Sequence, residues 1–395
     1  MKKLFIFLLL LFITSCSNDV YMEDLSSMNI DEIKEYSDNV GLNLVIEEEY
    51  SDISKGKVVS QSILPGDKID VTDLIVTISL GVDKALYSEY SVNELGRIPV
   101  MMYHGIHNLS NSDTNYVGGN VDRDGYQRTV EAFRADLEFY YNSGYRMVRL
   151  IDYVNGVIDV SLGYSPIVLT FDDGLENNIK VLGLDDNGDI IIDPNSAVGI
   201  LEEFKSKYPD FNVTATFFVN GGLFNQSEYN EKILNWLVSH GYDVGNHSYS
   251  HADFSKIGID DSIYEIGSVY KLLDSILGDK YVPIVALPFG SPYKKNHSNF
   301  SSIMSGSYDG FSYNTVSALR VGWEADYSPF STSFDKSFIK RIRAYDNNGV
   351  DFDIEYNFKL LESNRYISDG DKDLIVFPKG FEANYNGFDL EYISY

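Results

Sequence analysis

Cysteine is nearly absent from this 395-residue chain, which has a single one, Cys16. One thiol excludes an internal disulfide framework, so the fold must rest on its apolar core. Cations are also scarce: 31 Lys and Arg stand against 59 Asp and Glu, a formal net charge of -28. Polyphosphate binding needs clustered Lys and Arg to release counterions, and no such cluster exists here, which argues against nucleic acid as a partner. After the first residues no apolar run reaches the length of a membrane span. Histidines number six, and none follows His297. Against these shortages, 44% hydrophobic residues with 30 Tyr and 23 Phe place the chain among globular proteins rather than disordered ones. Its length fits one large domain and one small one.

The start has its own pattern: Lys2 and Lys3, an apolar run from Leu4 to Ile13, then Thr14-Ser15-Cys16. A charged start and a short apolar stretch favour export and cleavage over a mature spanning helix. The segment resembles a bacterial lipoprotein signal peptide. That resemblance implies a signal peptide over residues 1–15 and lipidation of Cys16. It also implies an anchor in the cell membrane on its extracytoplasmic face. The alternative is a buried N-terminal helix with an incidental thiol.

From residue 20 to 83 the residues predict a helix against a small sheet. Asn29 is a capping residue before Asp31 and Glu32, and Gly41 is a stop. Leu44 to Ile46, Val58 to Ser62 and Leu74 to Leu80 read as strands, with turns at Lys55-Gly56 and Pro65-Gly66. The residues Gly41-Leu42, Gly56-x-Val58-x-Ser60-Gln61-Ser62, Pro65-Gly66 and Val76-x-Ile78-Ser79-x-Gly81 resemble a PASTA domain, with Tyr21-Met22-Glu23-Asp24 where that family usually has a Val-Pro start. The resemblance implies a cell-wall-binding module, with an inert spacer as the alternative.

Residues 84–96 are polar without a clear period and read as a linker to a second domain over 97–395. There, strand-like runs (Ile98 to Tyr103, Ile167 to Phe171, Thr214 to Val219, Val282 to Leu287, Leu374 to Phe377) alternate with helical stretches. These are Glu131 to Asn142, Val198 to Lys207 and Tyr264 to Leu277. Alternating strands and helices predict an α/β domain with a parallel sheet or barrel. The acidic stretch from Leu184 to Asp189 reads as a solvated loop; as a calcium site it lacks the closing Glu.

Thr170-Phe171-Asp172-Asp173-Gly174 places two carboxylates at the C-terminal end of a predicted strand, where α/β barrels put their chemistry. Asp-Asp-Gly is equally an ordinary turn. His247 and His251, four apart in Gly245-Asn246-His247-Ser248-Tyr249-Ser250-His251, would share one face of a helical turn and reach one ion. Two imidazoles and one carboxylate leave a coordination position open, as in catalytic zinc sites.

Together these segments resemble the NodB-homology polysaccharide deacetylases, whose motifs Thr-Phe-Asp-Asp-Gly and His-(Ser/Thr)-x-x-His are matched by Thr170 to Gly174 and His247 to His251. The resemblance implies a distorted, incomplete (β/α) barrel behind the small α+β PASTA-like domain. It implies a divalent metal, Zn2+ being expected, on Asp173, His247 and His251, with Asp172 as base. The third motif falls on Ala286-Leu287-Pro288-Phe289, where Pro288 has no N–H, so the backbone of Phe289 is the expected oxyanion donor. The family's C-terminal acid histidine has no counterpart. A rearranged subgroup takes it from an early Tyr-His segment, which Tyr103-His104 resembles, so His104 is the candidate acid and His107 the runner-up. The family's Arg partner to the base is Ala286 here, and its fourth motif is not evident. Arg320 and Trp323 are candidates for a replacement guanidinium and a sugar-facing ring. The tail around Lys340-Arg341-Ile342-Arg343 reads as barrel completion and solvated faces.

The expected function is metal-dependent N-deacetylation of a cell-wall N-acetylhexosamine polymer, peptidoglycan first. Alternatives are poly-N-acetylglucosamine or an O-acetylated glycan as substrate, or a silent wall-binding lipoprotein.

Overall fold

The computed structural model describes residues 19–51 and 53–395. The expected signal peptide and Cys16 lie outside the described residues. The chain divides into two compact units, residues 1–83 and 84–395.

The first unit follows the sequence closely. Helix α1 (Ile30–Val40) begins at a capping box: the Asn29 side chain accepts from the N–H groups of Asp31 and Glu32, and the Glu32 carboxylate accepts in turn from the Asn29 N–H. It stops at Gly41, whose φ of 74° suits a left-handed cap. Strands β1 (Asn43–Glu49), β2 (Val58–Gln61) and β3 (Asp73–Ser79) form a sheet of order β1-β3-β2, parallel on one side of β3 and antiparallel on the other. Ile33, Leu42, Val58, Leu74, Val76 and Ile78 make the core between helix and sheet.

In the second unit the segment read as a linker contains helix α2 (Ala85–Tyr90) and is built into the domain. Tyr87 and Val92 are buried, and the Glu94 carboxylate accepts from the Tyr366 hydroxyl and the Val376 N–H. Its polar composition hid this, because Glu94 is a buried acid with paired oxygens rather than a solvated one.

The main sheet is parallel and contains β4 (Val100–Tyr103), β5 (Ser165–Phe171), β6 (Thr216–Val219), β7 (Asp243–Asn246), β8 (Ile284–Ala286) and β9 (Ser317–Leu319). Its outer members are β10 (Phe338–Ile339), beside β9, and β11 (Ile342–Arg343), beside β4. The pieces β10 and β11 belong to one extended stretch interrupted only at Lys340 and Arg341, so the strand order returns to its own start. This closure makes an irregular barrel with fewer strands than the eight of the regular (β/α) form. The run from Leu374 to Phe377, expected in this sheet, pairs instead with Glu391–Ser394 in a separate two-stranded piece.

Alternation along the strands assigns each residue to a face. Val100, Val168, Phe218, Ala286, Leu319 and Ile339, one from each of six strands, meet in the barrel interior. Met101, Tyr103, Leu169, Phe171, Phe217 and Ile342 face outward. There they pack under helices α3 (Val130–Asn142), α4 (Ala197–Lys207), α5 (Asn230–Ser239) and α6 (Ile259–Leu277). Strands buried on both sides read as continuous apolar runs, which is why β4, β5 and β6 were legible in the sequence.

Candidate metal and catalytic site

Counting in twos from Val168 along β5 puts Thr170 and Asp172 on the interior face, and counting from Val100 along β4 does the same for His104. Register aligns them: Tyr103 lies opposite Phe171, and the Asp172 N–H donates to the Tyr103 carbonyl. Both candidate side chains therefore emerge one residue beyond paired strand ends, at the C-terminal rim of the barrel.

Asp173 then turns out of the strand with φ of 76°. Gly174 follows at φ of 56°, where a Cβ would stand 2.4 Å from the Leu223 carbonyl oxygen. Both the conformation and the close approach require glycine there. The turn brings one Asp173 oxygen to 3.1 Å from His247 Nε2 and 3.4 Å from His251 Nε2. One ligand atom from each residue lies within 4.8 Å of the other two. His247 is buried, whereas Asp173 and His251 keep side-chain exposures of 27% and 36%, so the cluster opens to solvent on one side.

The two histidines do not share a helical face, which corrects the expectation from their spacing. Residues 247–251 form an irregular loop in which Ser248 and His251 have φ of 62° and 59°. Side chains hold this loop in place. The Asn220 amide donates to the carbonyls of His247 and Ser248, and the buried Glu265 carboxylate accepts from the Ser250 N–H and hydroxyl. His247 Nδ1 lies 2.8 Å from the Ala286 carbonyl. That contact assigns its proton to Nδ1 and leaves Nε2 as the lone-pair donor, the usual arrangement behind a metal-binding imidazole. Two imidazole nitrogens and a carboxylate oxygen converging on one point fit a zinc-type ion with an open position.

Asp172 has a partner the sequence reading missed. Arg341, fully buried, donates from Nη1 and Nη2 to the two Asp172 oxygens, each at 2.7 Å. Nη1 also reaches Thr170 Oγ1 at 3.1 Å, and Nε donates to the Arg320 carbonyl at 2.7 Å. Burial alone drives the Asp172 carboxyl upward; the Arg341 charge and bonds reverse this and hold it far below the usual carboxylate range. Arg341 was read as part of a solvated tail because Lys340-Arg341-Ile342-Arg343 looks like a surface stretch. The clue available was Ile342: one apolar residue between two arginines places both arginines on the opposite face of a strand. Arg320, the expected replacement, lies instead over the rings of Trp323 and Phe338, at 5.9 and 5.3 Å. It contributes its carbonyl rather than its charge. Trp323 is half exposed and bridges to Ile342.

His104 lies within electrostatic reach of both carboxylates. Burial lowers its basicity, opposed by Asp172 and Asp173, and its ring meets Tyr126 edge-on at 5.0 Å. His107, the runner-up, contacts Gln127 at 3.0 Å. Phe289, with φ of 57°, packs edge-on against His251 at 4.6 Å, so the third-motif segment does border the cluster. The stretch from Leu184 to Asp189 forms the turn of a hairpin, with the Asp185 carboxylate accepting from the N–H groups of Asn187 and Asp189.

With the site defined, comparison with known proteins adds the family. The polysaccharide deacetylase profile matches residues 160–302 and the PASTA domain profile residues 20–81. No curated protein matches the chain. Among solved structures, the chain is similar to the Streptococcus pyogenes deacetylase PplD in complex with acetate, at 18% identity and a TM-score of 0.46. The match covers 64% of this chain and 94% of that one. It is similar to a de-N-acetylase from Aggregatibacter actinomycetemcomitans at 12% identity and a TM-score of 0.40, covering 62% and 94%. The peptidoglycan deacetylase PdaC from Bacillus subtilis matches at 26% identity and a TM-score of 0.25, over 35% and 54%. By the two matched profiles, the chain joins a PASTA domain to a domain of the polysaccharide deacetylase family.

Proposed function

We propose that the second unit is a metal-dependent N-deacetylase of a cell-wall N-acetylhexosamine polymer, with peptidoglycan as substrate. It would be carried on the extracytoplasmic face of a bacterial membrane by a lipid on Cys16. The observation that supports this most is the convergence of Asp173, His247 and His251 beside an ionised, Arg-paired Asp172. The PASTA unit supports a wall polymer over a soluble one.

A divalent ion bound by Asp173, His247 and His251 would polarise the acetamide carbonyl and lower the pKa of attacking water. Asp172, kept ionised by Arg341, accepts the water proton. Attack forms a C–O bond and places negative charge on the carbonyl oxygen, which the Phe289 N–H is assigned to receive. His104, in its protonated form, would then deliver a proton to the sugar nitrogen as the C–N bond breaks, since an amide nitrogen leaves poorly without one, and the proton taken up by Asp172 is released as acetate departs. Water and amide become acetate and amine.

The test is acetate release from purified peptidoglycan under zinc titration. Asp173→Ala and His247→Ala should lose both metal binding and acetate release; retained release by either variant refutes the assignment. His104→Ala should keep the metal and slow turnover, and full activity there would remove His104 as the acid. Incorporation of labelled fatty acid into the wild type but not Cys16→Ala would test the anchor.

A further inference from the structure

Although acidic residues outnumber basic ones 59 to 31, only six of the ten arginines pair with a carboxylate among the described residues, and four do not. Arg343 is one, and it sits at the rim of the site. Ile342 packs on the outer face of the barrel, so Arg343 shares the interior face with Arg341, one layer nearer the C-terminal rim. Among the described residues it forms no ion pair. Its guanidinium lies over the rings of Tyr345 at 3.9 Å and Tyr126 at 5.0 Å. Tyr126 is the same ring that meets His104 edge-on, so the cation and the candidate acid share a wall.

Aromatic faces fix a guanidinium while leaving its in-plane N–H donors unused, which suits recognition of a planar carboxylate. Beside it is a cleft of about 340 Å³ whose lining includes Arg123, Arg343, Asn115, Asn120 and Asn347. Its acids Asp346 and Asp351 accept bonds from Asn348 and Asn347 of their own loop, and Asp124 lies at the exposed edge. Arg123 is exposed and also has no ion pair among the described residues.

We infer that Arg343, with Arg123, recognises a carboxylate carried by the glycan next to the acetamido group being cleaved. The enzyme then prefers an anionic N-acetylhexosamine polymer to a neutral one of similar backbone. This rests on the deacetylase reading above. The carboxylate could belong to a lactyl ether on the sugar or to a peptide attached through it.

The experiment compares three tetrasaccharides: neutral N-acetylglucosamine, alternating N-acetylglucosamine and N-acetylmuramic acid without peptide, and the same with peptide. Acetate release gives kcat/KM, and calorimetry on the zinc-loaded enzyme gives affinity independently of turnover. Wild type should favour the anionic oligomers. Arg343→Gln should collapse that preference about tenfold, mainly through KM, the scale of one charge-assisted hydrogen bond. Arg343→Lys should restore part of it, Arg123→Gln should give a smaller loss, and added salt should narrow the preference. A gain on the peptide-free oligomer assigns the lactyl carboxylate; a gain seen only with peptide assigns the peptide. Equal loss on all three oligomers, or equal affinity of wild type for them, overturns the inference. Absence of acetate release from every oligomer would instead refute the deacetylase reading, with calorimetry still deciding whether the rim selects carboxylates.

Discussion

Arg341→Met replaces a fully buried guanidinium by a shorter apolar chain and leaves the Asp172 carboxylate with neither of its two 2.7 Å bonds. Removing one partner of a buried pair costs about 3–5 kcal/mol, because the remaining charge has no compensation. The bonds to Thr170 and to the Arg320 carbonyl are lost as well, each worth about 1 kcal/mol. The expected destabilisation is therefore at the upper end of that range. In an Asp172→Asn background the stranded buried charge is that of Arg341 itself, so the same substitution removes it and should cost no more than about 1–2 kcal/mol, for the lost Thr170 and Arg320 bonds. The chain's two tryptophans, Trp236 and Trp323, both lie in the second unit, so urea unfolding followed by tryptophan fluorescence reports that unit in the full-length protein. Acetate release by Arg341→Met should fall about 100-fold or more, the usual scale for losing a general base. Equal destabilisation in the two backgrounds would refute the reasoning, since the cost would then owe nothing to the pair.

Three further outcomes are expected. Glu265→Gln loosens the loop that carries His251, and calorimetric zinc affinity should drop about tenfold with little change in melting temperature. Gly174→Ala should destabilise the second unit by about 1–3 kcal/mol in urea and weaken zinc binding, because both φ and the Leu223 carbonyl oppose a Cβ. Burial pushes Asp369 up to about 7 and raises its neighbour Glu94 as well. Folded-state pKa values above the unfolded ones stabilise at low pH, and that stability is lost as pH rises from about 4 through 7. Asp369→Asn should flatten the decline in urea midpoint between pH 5 and pH 8, and an unchanged slope would exclude this pair as its origin.

The sequence exposed what local chemistry writes plainly. The capping box at Asn29 and Glu32, the strands buried on both faces, and the two metal motifs all have short-range signatures. It hid what depends on distant contact. Arg341 acts on a residue 169 positions away, and nothing near it in sequence points to a carboxylate. Residues 243–246 and 317–319 are short strands with polar members, so neither length nor hydrophobicity announced them. The linker reading failed for a related reason: Glu94 looks solvated until Tyr366 and Val376 are brought to it by folding.

The stretch 338–343 has a consequence for assembly. The segment matched to the deacetylase family ends at residue 302 and already holds Asp172, Asp173, His247 and His251. Until residues 338–343 dock between β9 and β4, the barrel lacks its last stave and Asp172 lacks its cation. Closing the sheet and giving Asp172 its partner are thus one event. A deletion between residues 320 and 343 should disarm the enzyme while leaving every recognised motif in place, and a nascent or truncated chain would stay inert until the barrel's last strand arrives.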